Sequence, residues 1–268
     1  MSNKIDFITE VLDNQPLGTN QRLITFKCPA IAEKAQPGQF VALSCSRFLR
    51  RPLGVARVDR QQGTVSVGGR AKGEGMADIL ALKTGDKVKV LGPLGHGFDL
   101  TNLDGAIVVG GGTGVYPMLF LLDELKHRGV TTGAAFGFRS QAMSVLVDEF
   151  KDVADHCVIA SEAGDLDVPG DVMVALEEVG KHFSDKNNVA VLTCGPKPMM
   201  EKVADYAKSR GYSCQVSLEE RMACGVGLCL VCVCQIKDKD KTSANPDGWH
   251  YERCCKEGPV FRAEEIVW

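Results

Sequence analysis

The chain has 268 residues, of which 44% are hydrophobic and 24% charged, and its formal net charge is -3. This length is sufficient for two ordinary domains, and the composition is that of a globular protein. The slightly acidic balance gives no reason to expect a nucleic acid or an anionic membrane surface as a partner. No apolar run is long enough to cross a bilayer and the first ten residues contain no apolar signal core, so a cytoplasmic location is expected.

Short strands separated by turn residues are predicted over the first hundred residues. They cover Lys4–Leu12, Gln21–Cys28, Gln39–Leu43, Gly54–Asp59, Thr64–Val67 and Lys87–Leu91. Apolar and polar residues alternate in the last of them, and Gly, Pro and Asp stand between the segments. This spacing predicts a small antiparallel β barrel, interrupted by one helix from Gly75 to Leu82.

Strands and helices alternate after Asp104. The predicted strands are Ala106–Val109, Ala134–Phe138, Cys157–Ala160 and Val189–Thr193, and the predicted helices are Tyr116–Arg128, Val172–Val179 and Lys197–Arg210. Such alternation favours a parallel sheet with helices on both faces. We therefore expect a barrel domain over residues 1–101, an α/β domain over 102–216 and a small cysteine-rich module over 217–268. That module includes a polar stretch from Lys237 to Gly248.

Six of the eleven cysteines lie in the last 45 residues of the chain. Three of them follow the spacing C-x4-C-x2-C, at Cys224, Cys229 and Cys232. With a more distant fourth cysteine, this spacing is typical of a plant-type [2Fe–2S] cluster. Gly225 and Gly227 permit the sharp turns that such a loop needs.

A zinc site is the main alternative interpretation of these cysteines. Zinc loops usually pair cysteines two to four residues apart, so three cysteines in one loop favour the cluster. From the residues alone, both Cys254 and Cys255 are available as the fourth ligand, and Cys234 is a remote third option. The other cysteines are expected to be small buried apolar residues, at Cys28, Cys45, Cys157, Cys194 and Cys214.

Two turns of the predicted α/β domain are candidates for nucleotide binding. The first, Gly110-Gly111-Gly112-Thr113-Gly114, follows a strand and opens a helix, where backbone amides and the helix end favour a pyrophosphate. The second, Cys194-Gly195-Pro196, follows the last predicted parallel strand, at the edge where ligands bind in such sheets. Each also has a plainer interpretation, as a tight turn or as an ordinary strand-to-helix connection.

Two segments of the predicted barrel are candidates for phosphate binding. Arg50-Arg51-Pro52-Leu53-Gly54 could present guanidinium groups to a phosphate, although a solvated basic turn has the same composition. Lys72-Gly73-Glu74-Gly75-Met76 precedes the predicted helix and could bind a second phosphate, or could simply begin that helix. In the α/β domain, Arg139 and Ser140 would suit the 2′-phosphate of NADP or an ordinary solvated loop.

The order of these motifs resembles that of the ferredoxin–NADP reductase superfamily. The segments Glu219-Glu220-Arg221-Met222-Ala223-Cys224-Gly225 and Cys255-Lys256-Glu257-Gly258-Pro259-Val260-Phe261 narrow the resemblance. They are similar to the electron-transfer subunits of dihydroorotate dehydrogenase B, the NAD-linked type, and the similarity covers essentially the whole chain. The family has a serine at the position of Gly54 and usually a threonine at that of Met76.

The resemblance implies a set of cofactor contacts and selects one of the two possible fourth ligands. FAD contacts are implied at Arg51, Pro52, Leu53, Gly54, Gly68, Gly69, Arg70, Gly75 and Met76. NAD contacts are implied at Gly110, Gly111, Gly112, Gly114, Cys194, Gly195 and Pro196. Cys255 is implied as the fourth cluster ligand, because the family cysteine directly precedes the acidic Gly-Pro-Val-Phe segment.

The function that the resemblance implies is electron transfer within a heterotetramer of pyrimidine biosynthesis. Electrons would pass from the FMN of a partner, which oxidises dihydroorotate to orotate, through the [2Fe–2S] cluster and FAD to NAD+. No catalytic acid or base is assigned to this chain. Three alternatives are another multi-subunit oxidoreductase, a stand-alone NAD(P)H–ferredoxin reductase and a non-catalytic redox-sensing regulator.

Overall fold

Residues 5–238 and 247–268 are described by a computed structural model of the chain. The predicted strand Lys4–Leu12 therefore begins one residue outside the described part, and the polar stretch from Lys237 to Gly248 lies largely outside it. Within the described residues, no helix is both long and apolar enough to cross a membrane.

Six strands form the amino-terminal half: β1 (Asp6–Gly18), β2 (Gln21–Lys27), β3 (Phe40–Leu43), β4 (Arg51–Asp59), β5 (Thr64–Arg70) and β6 (Lys87–Leu94). They close into a barrel in the order β1-β2-β5-β4-β3-β6, and every neighbouring pair is antiparallel. The predicted antiparallel barrel is thus confirmed. Its interior is filled by alternate apolar side chains such as Ile24, Phe26 and Val41.

Two short helices accompany the barrel, α1 (Pro29–Lys34) and α2 (Glu74–Leu80). The sequence predicted α2 but not α1, whose six residues are too few to show a helical period. Ile31 of α1 and Ile79 of α2 are both buried against the barrel.

Arg51–Gly54 is part of a strand, which corrects its interpretation as a basic turn. These residues form the first half of β4 and pair with β3, from Leu43↔Arg51 to Phe40↔Gly54. Pairing between β4 and β5 begins only at Val55. One edge of this half-strand is therefore left unpaired, which is where a proline without an N–H group is tolerated. That open edge faces the cleft described below.

The second half of the chain contains β7 (Gly105–Gly111), β8 (Thr131–Phe138), β9 (His156–Ser161), β10 (Val168–Pro169), β11 (Val189–Cys194) and β12 (Ser213–Ser217). The carboxyl-terminal region adds β13 (Val233–Lys237), β14 (Trp249–Arg253) and β15 (Val260–Arg262). A seven-stranded sheet has the order β10-β9-β8-β7-β11-β12-β15, and only β15 runs antiparallel. β13 and β14 form a separate two-stranded hairpin.

Four helices cover the sheet: α3 (Val115–His127), α4 (Val147–Val153), α5 (Val172–Gly180) and α6 (Lys197–Arg210). Alternate residues of β7 face opposite sides of the sheet. Ala106 and Val108 pack in the core that contains α3 and α4, whereas Ile107 and Val109 pack in the core that contains α5 and α6. The prediction of a parallel sheet with helices on both faces is thereby confirmed.

The cysteine-rich region is joined to the sheet by β15. Val216 of β12 is paired with Phe261, and Ser217 with Val260. A strand of the predicted 217–268 module therefore completes the sheet of the predicted 102–216 domain. The sequence showed no sign of this pairing, since β15 has only three residues.

Candidate functional site

A cleft of about 1140 Å³ separates the barrel from the parallel sheet. Its barrel wall contains most of the residues predicted to contact FAD, namely Pro52, Leu53, Gly54, Gly68, Gly69, Arg70 and Met76. Its opposite wall contains most of those predicted to contact NAD, namely Gly111, Gly112, Gly114, Cys194, Gly195 and Pro196. Two groups of residues far apart in sequence thus face one space.

The two predicted nucleotide turns meet at the edge of the sheet. β7 and β11 are adjacent strands, and their register pairs Gly110 with Cys194. The backbones are so close that a Cβ on Gly114 would overlap the Cys194 carbonyl. This is the point where the strand order reverses, and in open α/β sheets ligands bind at the carboxyl ends of the strands there.

Three predicted contact residues do not line the cleft directly. Gly110 lies in the interior of the sheet, where a Cβ would be 2.9 Å from the Phe136 ring. Arg51 and Gly75 lie against each other at the start of α2, and the guanidinium group occupies the space that a side chain at residue 75 would fill. Arg51 is therefore held at the start of α2.

Tyr116 and Gln21 join the two walls, a role that the sequence predicted for neither residue. The Tyr116 hydroxyl donates to Gln21 Oε1 at 3.1 Å, and its ring lies against Gly68 of the barrel. Gln21 Nε2 in turn donates to the Met143 carbonyl at 3.1 Å. Burial raises the pKa of Tyr116, which keeps the hydroxyl a donor. Tyr116 lies two residues after the glycine turn, whereas nothing in the sequence around Gln21 indicates its role.

The first part of the cysteine loop is arranged around the sulfur of Cys224. The N–H groups of Val226 and Leu228 donate to Cys224 Sγ at 3.5 and 3.3 Å, and Cys224 N–H donates to Cys229 Sγ at 3.5 Å. Partial burial acts to raise the pKa of Cys224, but the backbone N–H groups of Val226, Cys229 and Leu228 outweigh it and lower that pKa to about 6. Cys224 therefore has the thiolate form that binds metals at neutral pH.

The second part of the site brings Cys255 to Cys232. Cys255 N–H donates to Cys232 Sγ at 3.4 Å, and burial together with this neighbour raises the pKa of Cys255 to about 12. Cys254 is directed elsewhere, because its thiol donates to the Leu218 carbonyl at 3.2 Å. The Cys234 thiol donates to the Glu252 carbonyl at 3.5 Å. The structure thus groups the four predicted ligands as Cys224 with Cys229 and Cys232 with Cys255.

An ion pair between Arg253 and Glu257 holds the two parts together. Glu257 Oε2 accepts from the Arg253 N–H at 2.8 Å and from its Nε at 2.9 Å. The same guanidinium donates from Nη1 to the Gly227 carbonyl at 2.8 Å. Hydrogen bonding to Arg253 lowers the pKa of Glu257 to about 2. Arg253 therefore connects the turn that carries Cys255 to the loop that carries Cys224 and Cys229.

The remaining cysteines are placed largely as expected. Cys28, Cys194 and Cys214 are buried, but Cys45 and Cys157 are only half-buried, which corrects the expectation for those two. Cys45 lies in an irregular segment after β3, where the barrel does not enclose it. Its thiol hydrogen-bonds to the Leu49 carbonyl at 3.5 Å.

Comparison with known proteins agrees with this geometry. Residues 219–267 match the model of the iron–sulfur cluster binding domain of dihydroorotate dehydrogenase B. The electron transfer subunit of dihydroorotate dehydrogenase B (NAD(+)) from Geobacillus thermodenitrificans is 36% identical over 251 residues, 91% of each chain. The subunit of the same name from Caldanaerobacter subterraneus is 33% identical over 259 residues, 96% of each chain.

Among solved structures, one of an NADH-dependent reduced ferredoxin–NADP oxidoreductase, a flavin-based bifurcating enzyme, has the same fold. Its TM-score is 0.84 at 25% identity, and the match covers 100% of this chain and 92% of that one. The predicted ferredoxin–NADP reductase type of fold is thus confirmed. With relatives of this identity along nearly its whole length, the chain belongs to the family of electron transfer subunits of dihydroorotate dehydrogenase B (NAD(+)).

Proposed function

We propose that this chain passes electrons between an FMN-containing catalytic subunit and NAD+, through a [2Fe–2S] cluster and FAD. The observation that carries the proposal is the position of the cysteine loop relative to the cleft. Met222 lines the cleft, and Cys224 follows only two residues later. A cofactor in the cleft and a cluster in the loop would therefore be near neighbours.

The pairing of the four thiols supports a two-iron cluster. Each iron of a [2Fe–2S] cluster takes two cysteine ligands, which matches Cys224 with Cys229 and Cys232 with Cys255. A single zinc ion would need all of its ligands around one point. The described hydrogen bonds instead join the four cysteines in two separate pairs. N–H groups directed at the sulfurs also suit a cluster, whose potential such hydrogen bonds tune.

The barrel wall of the cleft supports an FAD site. The fold is that of a flavoprotein superfamily, and the exposed edge of Pro52–Gly54 offers backbone groups to a flat ring system. Arg51, held at the start of α2, offers a guanidinium to a pyrophosphate. FAD, when bound, exchanges hydride with a nicotinamide and single electrons with a cluster.

The opposite wall supports an NAD site. At Gly112 a Cβ would meet nothing within 4 Å, and Gly111 and Gly114 also line the cleft, so N–H groups of this turn can approach a pyrophosphate. Gly195 of the second turn also lines the cleft, and a Cβ there would lie 2.7 Å from Cε of Met199, so this position favours a glycine. The predicted contacts at these glycines and at Pro196 are accordingly part of the proposal.

An exposed apolar surface beside the cysteine loop supports docking of the catalytic subunit. Its members are Leu228, Leu230, Val231 and Tyr251, which are 82%, 62%, 51% and 60% exposed. Leu230 adopts a left-handed backbone conformation with φ of 57°, which is unfavourable for leucine and places its side chain in solvent. Contiguous exposed apolar residues of this kind mark protein interfaces. We place the partner here, within reach of the exposed Cys229.

Family membership supports the remaining parts of the proposal. The relatives are named for dihydroorotate dehydrogenase B (NAD(+)), so the partner would oxidise dihydroorotate to orotate in pyrimidine biosynthesis. We propose a cytoplasmic heterotetramer of two kinds of subunit. NAD rather than NADP is proposed on the same basis.

Co-purification with the catalytic subunit tests the proposal. We expect a complex that contains FAD, FMN, iron and acid-labile sulfide, and that forms NADH from dihydroorotate and NAD+. Zinc without iron, or a chain without flavin, would refute the cofactor assignment. A chain that reduces ferredoxin with NADPH but forms no complex would instead indicate a stand-alone reductase, and failure to oxidise NADH with any artificial acceptor would indicate a regulator.

A further inference from the structure

The proposed electron path has a proton requirement that no residue assigned so far meets. NAD+ becomes NADH by taking up two electrons and one proton. An iron–sulfur cluster delivers electrons one at a time and brings no proton with them. If the proposed function holds, one proton must therefore enter the cleft in every turnover.

Few ionisable groups in the cleft are suited to carry that proton. Apart from Glu219 and its neighbour Glu220, the charged side chains that line it are Arg70, Lys72, Arg139, Glu162, Asp171 and Lys202. Arginine and lysine hold their protons too tightly at neutral pH. Asp171 is engaged, since it caps α5 by accepting from Met173 N–H at 2.9 Å and lies 3.9 Å from Lys202. Glu162 follows β9, which is two strands away from β7 in the sheet. The two predicted nucleotide turns follow β7 and β11, so Glu162 lies away from them.

Glu219 lies two residues after the end of β12, whose last residue, Ser217, is paired with Cys194 of the second nucleotide turn. Its carboxylate lines the cleft and interacts electrostatically with Cys194 on β11. The backbone before it is fixed, because Leu218 N–H donates to the Pro259 carbonyl at 2.9 Å and Ser217 is paired with Val260. Five residues later the chain reaches Cys224. Glu219 thus lies between the proposed nicotinamide site and the cysteine loop.

The surroundings of Glu219 favour its protonated form. Burial among the walls of the cleft raises the pKa of this carboxyl, and no cationic side chain of the described residues offsets the effect. The side chain is nevertheless reached by water, since the residue is exposed to the open cleft. A carboxyl with a raised pKa and access to water is suited to exchange protons with that water.

The neighbouring Glu220 differs in its environment. It acts electrostatically on Cys234 and Cys254, on the side of the β13–β14 hairpin. Of the two adjacent carboxylates, only Glu219 is therefore coupled to Cys194. This difference provides a matched control with the same change of charge.

We propose that Glu219 carries the proton that the electron path requires. In the direction of NADH formation, the O–H bond of its carboxyl breaks and the proton passes to the cofactor site, where it joins the two electrons supplied by the partner. The resulting carboxylate regains a proton from water at the mouth of the cleft. The sum is NAD+ plus two electrons plus one proton giving NADH, with no other reactant.

A first test measures the midpoint potential of the bound flavin against pH, in the complex and without turnover. The wild type is expected to show a change of slope where the Glu219 carboxyl titrates. In Glu219→Gln this change should disappear, whereas Glu220→Gln should retain it and Glu219→Asp should restore it in part. Identical curves for the wild type and Glu219→Gln would overturn the proposal.

A second test compares two reactions of the same chain with NADH. Reduction of ferricyanide removes electrons singly and leaves a proton behind, whereas transfer to thio-NAD+ moves hydride from one nicotinamide to another and needs no separate proton. Glu219→Gln should slow ferricyanide reduction about 100-fold, in the range of general acid–base effects, and leave transfer to thio-NAD+ within about 2-fold. Equal loss of both reactions would indicate a structural role and refute the proposal.

The proposed function and the role of Glu219 are refuted by different results. A wild type without flavin or cluster would refute the proposed function itself. A wild type that holds both, together with an unaffected Glu219→Gln, would refute only the role of Glu219. If Glu219→Gln loses its cofactors, the same measurements are made on Glu219→Asp, which keeps the carboxyl. A Glu219→Asp variant that holds its cofactors but shows no change of slope would refute the role of Glu219.

Discussion

Replacement of Glu257 by glutamine should destabilise the cysteine region by a measurable amount. The ion pair with Arg253 lowers the pKa of Glu257 from 4.5 to about 2. At about 1.4 kcal/mol for each pKa unit, a fully shielded group would contribute ~3 kcal/mol. Both side chains are 28% exposed, and water screens the attraction. We therefore expect Glu257→Gln to cost about 1–2 kcal/mol at pH 7.

Thermal unfolding of the purified chain measures this cost. The expected loss corresponds to a melting temperature lower by about 2–8 °C for a chain of this size. Glu178→Gln is the matched control, because Glu178 also pairs with a cation at 2.6 Å but the two side chains are 45% and 64% exposed. Exposed pairs of this kind contribute at most about 1 kcal/mol. If Glu257→Gln costs no more than Glu178→Gln, the ion pair does not hold the cysteine loop.

The pH dependence of the same variant has a definite sign. The pKa of Glu257 is lower in the folded chain than its usual value of 4.5. Its contribution is therefore complete above about pH 4.5 and is lost as the pH falls towards 2. The difference in stability between the wild type and Glu257→Gln should accordingly be constant from pH 6 to 8 and shrink in acid.

Three further predictions concern the proposed sites. Cys255→Ser should lower the iron and sulfide content and the visible absorbance of the cluster, because Cys255 N–H donates to the sulfur of Cys232. Cys254→Ser should leave them unchanged, because the Cys254 thiol is directed at the Leu218 carbonyl. Gly114→Ala should cost about 1–3 kcal/mol and weaken NADH binding measured by calorimetry, because the new Cβ would overlap the Cys194 carbonyl. Leu230→Asp should weaken binding of the catalytic subunit about tenfold or more in sedimentation experiments, without loss of iron, because it places a charge on the exposed apolar surface.

Each of these predictions has its own control. Equal loss of iron in the two cysteine variants would contradict the ligand assignment. Gly18→Ala serves the second prediction, since a Cβ there would meet only ordinary contacts at 3.7 Å or more. If Gly114→Ala binds NADH as tightly as Gly18→Ala, the turn is not part of the nucleotide site. Unchanged assembly of Leu230→Asp would exclude this surface from the interface.

The sequence predicted the elements whose pattern is local. Apolar runs and glycine turns placed β7, β8, β9 and β11 within a few residues, and helix α6 over its full length. The cysteine spacing likewise predicted a loop that the structure folds around the sulfur of Cys224. In each case the residues that determine the structure are adjacent in the chain, so their pattern is visible without knowledge of the fold.

The elements that were missed depend on contacts between distant residues. Gln21 matters because Tyr116 and Met143, about a hundred residues later, both bond to it. The pairing of β15 with β12 involves three residues with no periodic pattern. Arg253 and Glu257 are close in sequence, but their importance depends on a third contact, to Gly227. Sequence periodicity contains no information about such partners.

Packing accounts for one departure from the family pattern. Where the family has serine, this chain has Gly54, and a Cβ there would lie 3.0 Å from Cβ of Pro117. A serine there would therefore require Pro117 of α3 to shift by a few tenths of an ångström. The glycine thus fits the close approach of Pro117 to the barrel wall.

The segment after Cys255 connects all three parts of the proposed electron path. His96, at the end of the barrel, donates from its N–H to the Gly258 carbonyl at 2.6 Å, and its ring bonds to the Glu257 carbonyl at 3.1 Å. One residue further, the Pro259 carbonyl accepts from Leu218 at the edge of the sheet. A relay works only if its cofactors keep fixed separations. Because one short segment is bonded to the barrel, to the sheet and, through the Cys255 turn, to the cysteine loop, movement of any one part relative to the others would break these bonds.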